Sequence, residues 1–197
     1  MKFWKWMNTS KEFLVSLTRF LLLSLLYIPT VHARFMVEPF YKVYEGKYQT
    51  GADSGKFSGK IYGANVGYLG DYFMAGLSFE NGQYTSDNTL TNQGFEKYNG
   101  GGIGSYMGFH FLDRWKIWTG YLNSALEPTA NRDFRYFGQH VSFGLGYRVW
   151  EGLILNVEGF RNQYTQQEDD TTGLTTGLDS NIKTEGTSYF LSYFLVF

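Results

Sequence analysis

The chain has 197 residues, enough for one domain, and 20% of them are aromatic, with 24 glycines and 3 prolines. It contains no cysteine, which excludes a disulfide framework, a zinc–thiolate centre and a cysteine nucleophile. A mean hydropathy of -0.28 excludes a bundle of transmembrane helices, and a formal charge of -1 gives no basis for binding nucleic acid.

In chain order, the first 33 residues read as a cleaved secretory signal. Lys2, Lys5, Lys11 and Arg19 supply a basic start, Phe20 to Ile28 a short apolar run, and Val31-His32-Ala33 a small-residue cleavage site. Arg19 and Pro29 bound the apolar run, which is too short to span a bilayer as a helix. Without this segment, 13 basic residues face 17 acidic ones, a balance that argues further against a nucleic acid partner.

From Arg34 onward the pattern has a period of two, as expected of strands with one apolar and one polar face. The first strand sets Val37, Pro39, Tyr41 and Val43 against Glu38, Lys42 and Gly46. The second sets Tyr62, Ala64, Val66 and Tyr68 against Gly63, Asn65 and Gly67, and the third sets Phe73, Ala75, Leu77 and Phe79 against Gly76, Ser78 and Glu80. In the fourth, Ile103, Met107, Phe109 and Phe111 alternate with Gly104, Tyr106, Gly108 and His110. In the fifth, Trp115, Ile117, Thr119 and Tyr121 alternate with Lys116, Trp118 and Gly120. The sixth is the clearest, with Val141, Phe143, Leu145 and Tyr147 against Ser142, Gly144, Gly146 and Arg148. The seventh sets Leu153, Leu155 and Val157 against Asn156 and Glu158, although Ile154 and Phe160 lie on its polar face. The eighth carries Tyr189, Leu191, Tyr193, Leu195 and Phe197 on one face.

Short joins near Gly70, Asp113 and Glu151 alternate with long polar segments, assigned as loops over roughly 46–58, 82–98, 124–136 and 164–186. This pattern predicts an all-β, eight-stranded antiparallel up-and-down barrel over residues 34–197, closed so that no edge is exposed. A soluble barrel would place its apolar face inside and cover the outside with Lys and Glu. Here the polar face is rich in Gly, Ser and Asn, which suits a narrow lumen, and the apolar face suits lipid. Trp115, Trp150, Tyr68 and Tyr72 lie beside the short joins, where an aromatic girdle is expected.

The mature chain resembles the small eight-stranded outer-membrane barrels of Gram-negative bacteria, the group of OmpX and the OmpA membrane domain. The match lies in the alternation over the whole chain and in the final strand, Tyr189, Leu191, Tyr193, Leu195 and Phe197. The resemblance implies a bacterial outer-membrane location, short turns on the periplasmic side, long extracellular loops and contact with lipids and lipopolysaccharide. It also implies that the barrel assembly machinery reads the final strand, which ends on an aromatic residue.

Chemistry is sparse. His140-x-Ser142, with Glu151 or Glu158 beyond, resembles the His-x-Ser plus Glu arrangement of outer-membrane lipid A deacylases. The pair is in phase with Gly144 and Gly146, hence toward the lumen and away from a lipid substrate. The acidic run Gln166 to Asp170, with Asp179 and Glu185, lacks a cation-ligand spacing, and Asn99 to Gly104 lacks the Lys-Ser/Thr ending of a phosphate loop. No cofactor or metal is therefore expected.

The polar face instead predicts two lumenal ionic layers: Glu38 with Arg148 or Lys116 near the short joins, and Lys42 with Glu80 or Glu158 at mid-height. A non-enzymatic barrel that displays loops toward an unidentified extracellular ligand follows from this. A narrow channel is the alternative, and a lipid A-modifying enzyme a more distant one.

Overall fold

The computed structural model describes residues 34–51, 53–88, 94–130 and 134–197. The signal assigned to residues 1–33 lies outside the described residues. The strands are β1 (Arg34–Thr50), β2 (Asp53–Leu69), β3 (Phe73–Asn88), β4 (Gly94–Phe111), β5 (Trp115–Pro128), β6 (Phe134–Arg148), β7 (Leu153–Asp169) and β8 (Leu174–Tyr193). A further pair, β9 (Leu195–Val196), continues β8. The interruption falls at Phe194, whose N–H donates to the Gly152 carbonyl in the turn before β7.

Each strand pairs antiparallel with the next, and β8 returns to β1, so the sheet closes into an eight-stranded barrel. At the seam Phe40 lies opposite Ser192 and Thr50 opposite Ile182, while β9 holds the same register with Val37 opposite Leu195. Closure satisfies the backbone of every strand by its neighbours, the condition for crossing a bilayer without a helix.

The face assignment from the sequence matches the structure strand by strand. Glu38, Phe40, Lys42 and Tyr44 are buried on β1, while Tyr41 points outward. The outer wall exposes Tyr62, Leu77, Ile103, Phe143, Leu155 and Tyr189 by 50% or more. A soluble protein rarely leaves a continuous apolar surface of that kind, whereas hydrocarbon solvates it. At the short-turn end Tyr68, Tyr72 and Trp150 are 54–75% exposed, as an interfacial girdle requires.

The long polar segments differ from the loops assigned to them. Most of their residues are ladder. β1 and β2 stay paired up to Thr50 and Asp53, and β7 and β8 stay paired up to Asp169 and Leu174. The physical reason is that the buried core of the lumen continues into them. Phe57, Tyr84, Leu126 and Tyr164 point inward and are buried there, and Tyr48, Tyr98, Tyr136, Leu178 and Ile182 pack against them. The stacked pair Phe57–Tyr84, 5.0 Å between centroids, links β2 to β3 above the lipid-facing belt. The alternation therefore continues beyond the belt, with polar instead of apolar residues outside. Two register shifts interrupt the ladders: Thr165 of β7 is an extra residue opposite Phe137 and Gly138 of β6, and β8 runs from Gly177 to Ile182 while β7 runs only from Gln166 to Tyr164.

Candidate functional site

The lumen is the candidate site, because it collects the buried charges. Five of them are brought together in two clusters. At mid-height Lys42 Nζ lies 2.5 Å from Glu80 Oε1 and 3.2 Å from Glu158 Oε1, so one ammonium from β1 bridges carboxylates on β3 and β7. Tyr44 donates its hydroxyl to Glu80 at 3.3 Å and to Glu158 at 3.5 Å. Glu158 also accepts from Trp118 Nε1 at 3.3 Å and Ser188 Oγ at 3.1 Å. The Lys42 ammonium sits over the Phe40 and Phe190 rings at 4.7 and 4.9 Å. Rings on two sides and carboxylates beyond satisfy a cation that has lost its water.

Nearer the short turns, Lys116 pairs directly with Glu38. Glu38 accepts further bonds from Ser192 Oγ and from Asn65 Nδ2, the latter at 3.0 Å. Lys116 lies over the Trp118 ring at 4.7 Å and the Phe194 ring at 4.9 Å. Trp118 thus separates the layers and touches both: its ring carries Lys116 and its N–H serves Glu158. Glu38 and Glu158 are 0% and 1% exposed, so neither pair is a surface ion pair.

Of the pairings expected from the sequence, Lys42 takes both of its candidate partners, and Glu38 takes Lys116. Arg148 does not join: it faces the lumen at the end of β6, and its Nε is buried without a hydrogen-bond partner. The supporting groups Tyr44, Asn65, Ser188 and Ser192 were not singled out from the sequence. All lie in phase with the charges, so the period-two pattern contained them, but a hydroxyl or amide carries no charge to mark it.

Glycine makes room for this packing. A Cβ on Gly144 would come within 2.0 Å of the Trp118 ring, and one on Gly63 within 2.5 Å of Phe40. Large side chains from one strand lie over bare backbone on another, which lets them pack inside a narrow barrel.

The remaining motifs resolve into structural roles. His140 Nδ1 lies 2.6 Å from Asn162 Oδ1, and Asn162 donates onward to Thr184 Oγ1. No hydrogen bond among the described residues joins His140 to Ser142; both are buried toward the lumen, and Glu158 is occupied by Lys42. A nucleophile needs its base within reach, and the substrate must reach both. Asp169 accepts from the Thr171 and Thr172 backbone N–H groups and so caps the β7–β8 turn. Arg135 lies 3.9 Å from Glu127 within the β5–β6 hairpin and 3.4 Å from Asp170 in the β7–β8 turn, two partly exposed ion pairs that tie these hairpins together. The glycine run 99–104 is an interior stretch of β4.

No family model matches the chain, and neither does any curated protein. Solved structures do. Neisserial surface protein A is 15% identical with a TM-score of 0.51, over 81% of this chain and 96% of that one. Ail, the attachment invasion locus protein of Yersinia pestis, solved with the heparin analogue sucrose octasulfate, is 7% identical with a TM-score of 0.50, over 83% and 99%. OprG, an outer membrane protein of Pseudomonas aeruginosa, is 12% identical with a TM-score of 0.42, over 81% and 96%. At these identities the likeness is one of fold: the chain has the fold of the small eight-stranded bacterial outer-membrane barrels.

Proposed function

We propose that this chain, a barrel of the outer-membrane type, is a non-catalytic and non-conducting scaffold that holds rigid hairpins at the bacterial surface for adhesion, envelope protection or contact with lipopolysaccharide. The observation that carries the reading is the filled lumen. Lys42, Glu80 and Glu158 span it from three strands, with Tyr44 and Trp118 beside them. A hydrated ion entering at that level would have to displace groups already satisfied by one another, at a cost of several kcal/mol for each ion left unpaired. The inward aromatics of the hairpins support the second half of the proposal, because they make the projecting ends stiff ladders instead of mobile loops. Ail is a barrel of the same fold solved with a sulfated sugar, which supports an extracellular ligand for hairpins of this kind.

Assembly belongs to the same reading. The final strand presents Tyr189, Leu191, Tyr193, Leu195 and Phe197 on its outer face, 41–74% exposed, where an assembly factor could read them before the seam closes.

Planar bilayer recording of the purified protein tests the proposal. A scaffold gives no discrete current steps at any voltage below membrane breakdown. Reproducible steps of one size would overturn it in favour of a narrow channel. Unchanged lipid A mass spectra on expression are expected in the same cells, and loss of an acyl chain would support a deacylase.

A further inference from the structure

Three side-chain atoms in the lower half of the lumen are buried without hydrogen-bond partners. Tyr106 on β4 is 4% exposed, and its hydroxyl has no partner. His110, four residues along the same face, leaves Nε2 buried and unpartnered, and so does Arg148 with Nε. The register places His110 and Arg148 close together. His110 lies opposite Lys116, and Lys116 lies opposite Gly146, the inward neighbour of Arg148. The charges of Lys116, Arg148 and Glu38 all act on the His110 ring, whereas Tyr106 lies deeper, opposite Gly120 and through it Ser142, six residues along β6 from Arg148.

The charges of this layer do not balance. Its carboxylate, Glu38, is taken up by Lys116, Ser192 and Asn65. Arg148 has no ion pair among the described residues. The guanidinium offers a planar fork that suits oxyanions in bidentate fashion. We infer that the short-turn mouth of the lumen is a binding site for a small oxyanion of the phosphate or carboxylate class, held by Arg148 with His110 as a flanking donor. An anion there neutralises the floor of the barrel without entering the mid-height cluster. The site is independent of whether the lumen conducts.

Sodium phosphate is titrated into the purified protein in micelles, with sodium chloride holding the ionic strength constant, and the backbone amide shifts are followed. Sodium acetate in a parallel titration reports whether carboxylates share the site. The expected result is a saturable shift centred on His110 and residues 146–148. In Arg148→Gln affinity falls by about tenfold or more, as expected for loss of a charge-assisted bond. His110→Phe weakens it less. Each variant is first checked for its heat-modifiable gel mobility. No saturable shift in the wild-type protein would overturn the inference, and so would an equal response in a folded Arg148→Gln variant. If Arg148→Gln does not fold, Arg148→Lys replaces it: phosphate binding that is weakened supports the fork, and unchanged binding overturns it.

Discussion

Replacing Lys42 with Met removes the one cation between Glu80 and Glu158, which lie 2.5 and 3.2 Å from it. Both carboxylates keep some donors: Tyr44 serves each, and Trp118 and Ser188 serve Glu158. Neither keeps a countercharge in its cluster. Breaking a buried pair in this way costs about 3–5 kcal/mol. Glu80→Gln is milder, because Lys42 retains Glu158; the loss of one charged hydrogen-bond partner predicts about 1.5–3 kcal/mol. The double variant carries one uncompensated carboxylate instead of two. Its destabilisation should therefore fall short of the sum of the single effects, by between about 0.5 and 3 kcal/mol, as for residues within one network. The assay is unfolding in urea, read as the loss of heat-modifiable gel mobility in micelles or vesicles. Strictly additive effects would refute the bridging role of Lys42. A cost below about 1 kcal/mol for Lys42→Met would show a lumen wet enough to screen the charges, as at a protein surface.

Three further outcomes follow from the same geometry. Gly144→Val should push the Trp118 ring away from both ionic layers and destabilise the barrel by about 1–3 kcal/mol or more in the same assay; wild-type stability would contradict the large-over-small packing. Deletion of Phe197, or Phe197→Ser, should lower the amount of protein in outer-membrane fractions more than any single substitution in the hairpin turns, and wild-type levels would remove the final strand from the assembly signal. An epitope inserted beside Gly173 in the β7–β8 turn should be labelled by antibody on intact cells; labelling only after permeabilisation would reverse the orientation.

The barrel and the identity of its inner face were legible because lipid and lumen demand opposite things of alternate residues, and Val141 to Arg148 carry that demand without a break. The hairpins were misread as loops for a physical reason. Above the belt the outer face meets water, so Lys47, Gln49, Lys56 and Ser58 replace apolar residues, and the contrast that marks a strand disappears. The inner phase was still written there, in Tyr44, Tyr48, Phe57, Tyr84 and Tyr164. The charges of the lumen could be assigned to a face and a height from the sequence, but their partners could not. Pairing depends on how far the strands are staggered around the barrel, and no single strand records that. Lys116 reaches Glu38 across the barrel, while Arg148, at a similar height, does not.

The central claim is that the mid-height cluster lies in a lumen closed to water-borne solutes, and the absence of cysteine from the chain allows it to be tested with single thiols. Ser188, 0% exposed beside Glu158, and Ser54, exposed near the β1–β2 turn, are each replaced by Cys in the full protein. Both are then treated with a charged, membrane-impermeant thiol reagent in native membranes open on both sides. The account predicts rapid modification at position 54, and modification at position 188 only after the barrel has been unfolded. Modification of Ser188→Cys in the folded barrel at a rate close to that of Ser54→Cys would contradict it.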